Sequence, residues 1–96
     1  MAYRYEFLEA AARDLHKLTR HNHPLLHAIV TTHIPAILRD PYRAGEPKRG
    51  DLAHVHAYDL DVKGVAYRLI CEVEEDVVRF VAIGPHDAAY AKARRR

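Results

Sequence analysis

The chain has one cysteine, Cys71. That excludes an internal disulfide and a multi-cysteine zinc site. Inside an apolar strand pattern it reads as a small core residue, with a nucleophile as the lesser alternative. No apolar run approaches the roughly 18–20 residues of a membrane span. The opening residues, Met1 to Glu6, lack the apolar core of a signal peptide. The expectation is a cytoplasmic protein without a membrane partner. Repeats, low-complexity tracts and domain linkers are also missing, so residues 1–96 are expected to form one domain. Hydrophobic residues make up 49% and charged residues 29%, an ordinary globular balance that supports one core. Any function must then fit on one face or in one cleft.

Net charge is +2, but unevenly spread. Residues 1–50 carry eight Lys/Arg against five Asp/Glu, residues 51–76 two against seven, and residues 77–96 five against one. Basic flanks around an acidic middle either attract a polyanion or form a solvated helix and tail.

Tyr3 to Leu8 alternates like a first strand. Leu8, Ala11, Ala12, Leu15 and Leu18 recur at helical spacing, predicting a helix over 9–20, with Arg13, Asp14, Lys17 and Arg20 mostly off the stripe. Asn22 and Pro24 suit the cap and first turn of a second helix. Its apolar face is Leu26, Ile29, Val30, His33, Ile34 and Ile37. Pro35 falls inside this pattern, so the helix should kink or restart near His33. Pro41 to Gly50 reads as a loop. Three strands follow: 52–60, 65–74 and 77–84, with turns at 61–64 and 75–76. Residues 88–96 can form a short helix. The fold class expected is α+β: two helices packed on a small, mainly antiparallel four-stranded sheet, in the order β-α-α-β-β-β plus a C-terminal helix. The helices cover one face, and the other stays partly open for binding.

Several residues stand out. Arg68 lies in the apolar run Val65 to Val73, where its guanidinium must meet something polar: a ligand, or an acid such as Glu72 or Asp59. His86 lies just past the last strand, as a surface turn residue or as a proton donor near neutral pH. Glu46 is either a solvated loop carboxylate or a base. His54, His56, Tyr58 and Leu60 share one face of their strand, and Val55, Ala57 and Asp59 the other. Two histidines could begin a metal site, but no third ligand completes it, and none is expected.

Gly50-Asp51-Leu52, Ala66-Tyr67-Arg68-Leu69-Ile70-Cys71-Glu72-Val73 and Val81-Ala82-Ile83-Gly84-Pro85-His86, with Tyr90 beyond, resemble the RelE/ParE superfamily of toxins from type II toxin–antitoxin systems. The resemblance covers nearly the whole chain and is clearest over residues 46–90. It implies a RelE-like fold and, for many members, a cofactor-free endoribonuclease that cuts mRNA on the ribosome. There the 2′-hydroxyl attacks the adjacent phosphorus and the 5′-oxygen leaves, which needs a base, a cation and an acid. Carried over by position, Glu46 is the base of the YoeB-like branch, Arg68 the phosphate clamp and His86 the acid, with Tyr90 the C-terminal aromatic. The RNA-binding set implied is Lys48, Arg49, His54, His56, Arg94 and Arg95. The third-to-last strand departs from the ribonucleolytic pattern, carrying histidines and Asp59 where lysines or arginines are usual. Two other outcomes stay open: a ParE-like inhibitor of DNA gyrase, and a degenerate member that only binds its antitoxin. The implied partners are a cognate antitoxin, in a hetero-oligomer, and the ribosome with its mRNA. An acidic antitoxin segment would complement Arg94-Arg95-Arg96, and the helix face at Leu15 and Leu18 is a second candidate for its contact.

Overall fold

A computed structural model describes residues 3–44, 46–47 and 55–95, with backbone only at residues 43, 44, 46, 47, 86–88 and 90. The elements are β1 (Arg4–Phe7), α1 (Glu9–Thr19), α2 (His23–Ala28), a π-helical turn (Ile29–His33), α3 (Ile34–Arg39), α4 (Pro41–Ala44), β2 (Glu46–Pro47), β3 (Val55–Val62), β4 (Val65–Glu74), β5 (Val77–Pro85) and α5 (His86–Arg95). The sheet order is β1-β5-β4-β3-β2. Among the described residues, only the β1–β5 pairing is parallel. This is the expected α+β arrangement, with the two-residue β2 added at one edge.

Local chemistry explains the element ends. Asn22 Oδ1 accepts the backbone N–H of Leu25, and Pro24 sits in the first turn of α2. Pro35 breaks the long helix as expected. Its ring cannot pack against the carbonyl of Thr31 in a regular α-helix, and the preceding turn widens to π geometry before α3 restarts. The loop expected from Pro41 onward instead begins with the turn α4, because proline is well placed at a helix start. Glu46 and Pro47 then pair with Ala57 and His56. The β3–β4 hairpin turns on Lys63 and Gly64, both at positive φ, with Asp61 Oδ1 accepting the Gly64 N–H.

The sheet separates two apolar clusters. The larger lies under the helices and joins Leu25, Ile29, Ile34 and Ile37 to Leu60, Leu69, Val78, Phe80 and Ile83. The smaller, on the opposite face, joins Val55, Ala57, Ile70, Val81 and Ala82 to Ala89 and Ala93 of α5. A bulge serves both. Ile70 pairs with Ala82 but Cys71 with Phe80, leaving Val81 as the extra residue. Phe80 and Ile83, three apart, can then face the same cluster while Val81 and Ala82 face the other. The second face is therefore less open than expected, because α5 packs on β4 and β5.

On the second helical stretch Leu25, outside the expected apolar face, is fully buried, whereas Val30, expected on it, is 49% exposed. Two assignments also change on α1. Ala12 is exposed, whereas Asp14, expected off the stripe, is 8% exposed. The cause is where β1 stops. Leu8 donates its N–H to Phe80, and beyond that point α1 takes the strand's place beside β5. Asp14 Oδ2 accepts the Ile83 N–H at 3.3 Å, substituting for the absent strand.

Candidate functional site

Arg68 sits on β4 between Asp59 of β3 and Gly84 of β5. Alternation from Ile70 puts it on the α5 side of the sheet. It is 6% exposed, and its Nε donates to Asp59 Oδ1. Asp59 itself is exposed. The ion pair is thus a buried guanidinium held by a carboxylate at the solvent boundary. A shallow cavity of about 310 Å³ beside it is lined by Asp59, Leu60, Asp61 and Ala66, so the hairpin surface next to Arg68 is acidic.

The register brings the other candidate positions to the same region. Glu46 is opposite Ala57, Ala57 is opposite Ile70, and Ile70 is two residues from Arg68. Two inter-strand steps of about 4.8 Å separate β2 from β4. His86 starts α5 two residues beyond Gly84, the β5 partner of Arg68. Tyr90 lies one turn further along α5. Arg94 and Arg95 are exposed in its last turn. Lys48, Arg49 and His54 lie outside the described residues.

His56 is on the other side of the sheet. It shares its face with Tyr58 and Leu60, beneath the helices and away from Arg68. Its ring meets Tyr42 edge-on at 5.4 Å, and its buried Nδ1 has no hydrogen-bond partner among the described residues. Nearby, His33 Nδ1 and the Tyr58 hydroxyl are 3.1 Å apart, and desolvation lowers the His33 pKa. Cys71 is buried in this layer. Burial, assisted by the charge of Glu72, pushes its thiol up to about 12. Among the described residues, no group of three or more His, Cys, Asp or Glu could hold a metal ion.

Two polar constellations escaped the sequence pattern because they join distant elements. Lys92 Nζ of α5 pairs with Asp14 Oδ1 at 3.3 Å and donates to the Ile83 carbonyl at 3.5 Å, tying α5 to α1 through β5. Arg79 donates from Nε to Glu6 Oε1 at 2.7 Å, and its Nη1 lies 3.5 Å from Glu72 and 3.7 Å from Glu74. The hydrogen bond to Glu6 raises the Arg79 pKa most. The only signal in the sequence was a cation within an apolar strand. Leu15 and Leu18 pack against the larger cluster, so that candidate contact face is largely used internally.

A sequence profile of the family described as ParE-like toxin of type II bacterial toxin–antitoxin system matches residues 8–94. The chain belongs to this family. Solved structures agree on the fold. The toxin–antitoxin complex RelBE2 from Mycobacterium tuberculosis contains a chain 28% identical, with a TM-score of 0.72, covering 90% of this toxin and 100% of that chain. A mutant Escherichia coli toxin RelE in the free state is 24% identical, with a TM-score of 0.64 and coverage of 100% and 98%. A RelE mutant in complex with a peptide of its antitoxin is 23% identical, with a TM-score of 0.65 and coverage of 97% and 95%. No curated protein matches the sequence. Among the described residues of this toxin, no helix is long and apolar enough to cross a membrane.

Proposed function

We propose that this toxin is neutralised by a cognate antitoxin and, when released, cleaves mRNA on the ribosome by metal-independent acid–base chemistry. The observation that supports the reading is that Glu46 pairs into the strand beside β4, while His86 follows two residues after Gly84, the partner of Arg68. Glu46 takes the proton from the ribose 2′-hydroxyl. Arg68 stabilises the charge that develops on the non-bridging phosphate oxygens as the P–O2′ bond forms. His86 protonates the departing 5′-oxygen, and Tyr90 supports the substrate from the next turn of α5. An entering phosphate exchanges with Asp59 at the Arg68 guanidinium. Complexes with antitoxin among similar structures support the partner assignment.

A second reading, inhibition of DNA gyrase, is favoured by two features. The matching family is described as ParE-like, and Asp59 and Asp61 make the surface beside Arg68 unwelcoming to RNA. Induced expression without antitoxin, with primer-extension mapping of cellular mRNA, separates the two. Cuts within translated codons are expected, falling by about 10²–10³-fold in Arg68→Ala, the typical cost of losing a charge-stabilising donor. Arg68→Lys keeps a cation in the fold and checks that lost cutting is not lost folding. Growth arrest with intact mRNA and a DNA-damage response would replace the ribonuclease reading with the gyrase one.

A further inference from the structure

Asp59 faces Arg68 directly across the β3–β4 ladder. The two ends of this ion pair have different surroundings. The arginine side chain is 7% exposed and the aspartate side chain 59%. A guanidinium so far from water must keep an anion beside it, because an unpaired buried charge is strongly destabilising. The carboxylate is under no such constraint, since water solvates it as soon as it turns away. The pair is therefore exchangeable at its acidic end alone: Arg68 needs an anion, but not this one. The Lys92–Asp14 pair is built the other way round. There the acid is the buried member, at 8% against 29% for the lysine, and it also accepts the Ile83 N–H, which fixes it.

Geometry supplies the other requirements of an exchange. Asp59 accepts from the Arg68 Nε, on the edge of the guanidinium where, with the neighbouring Nη, two oxygens of a phosphate can bind. The cavity of about 310 Å³ beside the pair gives a displaced carboxylate somewhere to go. At about 30 Å³ each, it has room for roughly ten waters. Turning into it rotates one short side chain and leaves the β3–β4 ladder intact. Asp61, which also lines this cavity, is held by its Oδ1 on the Gly64 N–H.

We propose that Asp59 is a latch on the Arg68 anion site: its carboxylate holds the place of a phosphate group in the free toxin, and a phosphate enters only by displacing it. This role rests on the reading of Arg68 as the phosphate clamp and adds what regulates that clamp. Occupancy by Asp59 keeps the buried guanidinium neutralised when no phosphate is bound. It also lowers the affinity of the site for any phosphate, since each must compete with a carboxylate tethered beside it. A purely structural pair behaves differently. Removing its acid costs stability and creates no affinity.

The test titrates the full chain with inorganic phosphate at constant ionic strength. Binding is read from the NMR signal of the Arg68 Nε–H, assigned by its absence in Arg68→Lys, and stability from the urea midpoint. Asp59→Asn removes the charge and keeps the size. Without phosphate it should be less stable than wild type. It should bind phosphate about 10- to 100-fold more tightly, the scale of one charge-assisted hydrogen bond that no longer competes. Its stability should recover as phosphate is added. Asp61→Asn removes the same charge from the same surface and keeps an acceptor for Gly64. It should gain no more than about twofold, the screened effect of an exposed charge. Equal phosphate affinity in Asp59→Asn and wild type would overturn the latch. An equal gain in Asp61→Asn would overturn it too, assigning the effect to the acidic surface as a whole. Should Asp59→Asn not fold, wild type carries the test alone. Its Arg68 Nε–H signal should move as phosphate replaces chloride, and a signal that stays in place would overturn the exchange. These measurements need neither ribosome nor RNA, so their failure is distinct from that of the ribonuclease reading, which the mRNA cuts decide.

Discussion

At the scale of single residues, burial decides which ionisable groups stay silent. Cys71 lies under the helices with its thiol shifted up to about 12, so the thiolate that reacts with alkylating reagents is scarce at ordinary pH. Iodoacetamide at about pH 8 should leave the native chain unmodified and label Cys71 after denaturation. Rapid labelling of the native chain would contradict this placement. His33 is held below its ordinary value by desolvation. As pH falls from about 6.5 towards the lowered native value, the unfolded chain takes up the proton first. Stability should therefore drop over that window. His33→Asn keeps a polar group near the Tyr58 hydroxyl but cannot titrate, so its urea midpoint should fall less than that of wild type on acidification. Equal falls would show that His33 contributes nothing to the acid sensitivity.

At the scale of elements, helical periodicity and turn residues were readable because their causes are local, while the exact buried faces were not, as Leu25 and Val30 show. Asn22 and Pro24 start α2, Pro35 interrupts the helix, and Gly64 closes a hairpin, each through its own backbone chemistry. Asp14 was not readable, since its burial follows from β1 ending at Phe7 while β5 continues to Pro85. Its carboxylate serves both Ile83 and Lys92, and so couples three elements. Asp14→Ala should destabilise the chain by about 1–3 kcal/mol, the cost of orphaning a buried N–H, as measured by urea unfolding. Asp14→Asn retains an acceptor for Ile83 and should cost less. Both should speed amide exchange in α5, because both lose the ion pair to Lys92. Unchanged exchange would show that Ala89 and Ala93 alone hold the helix. For the candidate site, the sequence singled out Arg68 and named Asp59 among its possible partners. It could not show that the Arg68 guanidinium would be buried on the α5 side while Asp59 stays exposed, which depends on register across three strands.

At the scale of the whole molecule, the order β1-β5-β4-β3-β2 places the first strand against the last. The helices made early in the chain have no finished surface until β5 arrives. Val78, Phe80 and Ile83 then enter the larger cluster, while Val81 and Ala82 enter the smaller. One strand thus completes both cores, which explains why its sequence is apolar on both sides of a bulge. Phe80, fully buried and stacked on Phe7 at 4.8 Å, should cost about 3–5 kcal/mol on truncation to alanine. That is a large part of the roughly 5–15 kcal/mol available to a domain. Removing the whole strand should be decisive. A chain ending at Asp76 keeps β1 to β4 and α1 to α4 and loses α5 together with β5, so β1 loses the only strand it pairs with among the described residues. It should lack a cooperative urea transition and give poorly dispersed amide resonances. A cooperative transition in that fragment would mean that the helices and the β3–β4 hairpin form a stable core without β5. The last strand would then be an addition to the fold and not the element that completes it.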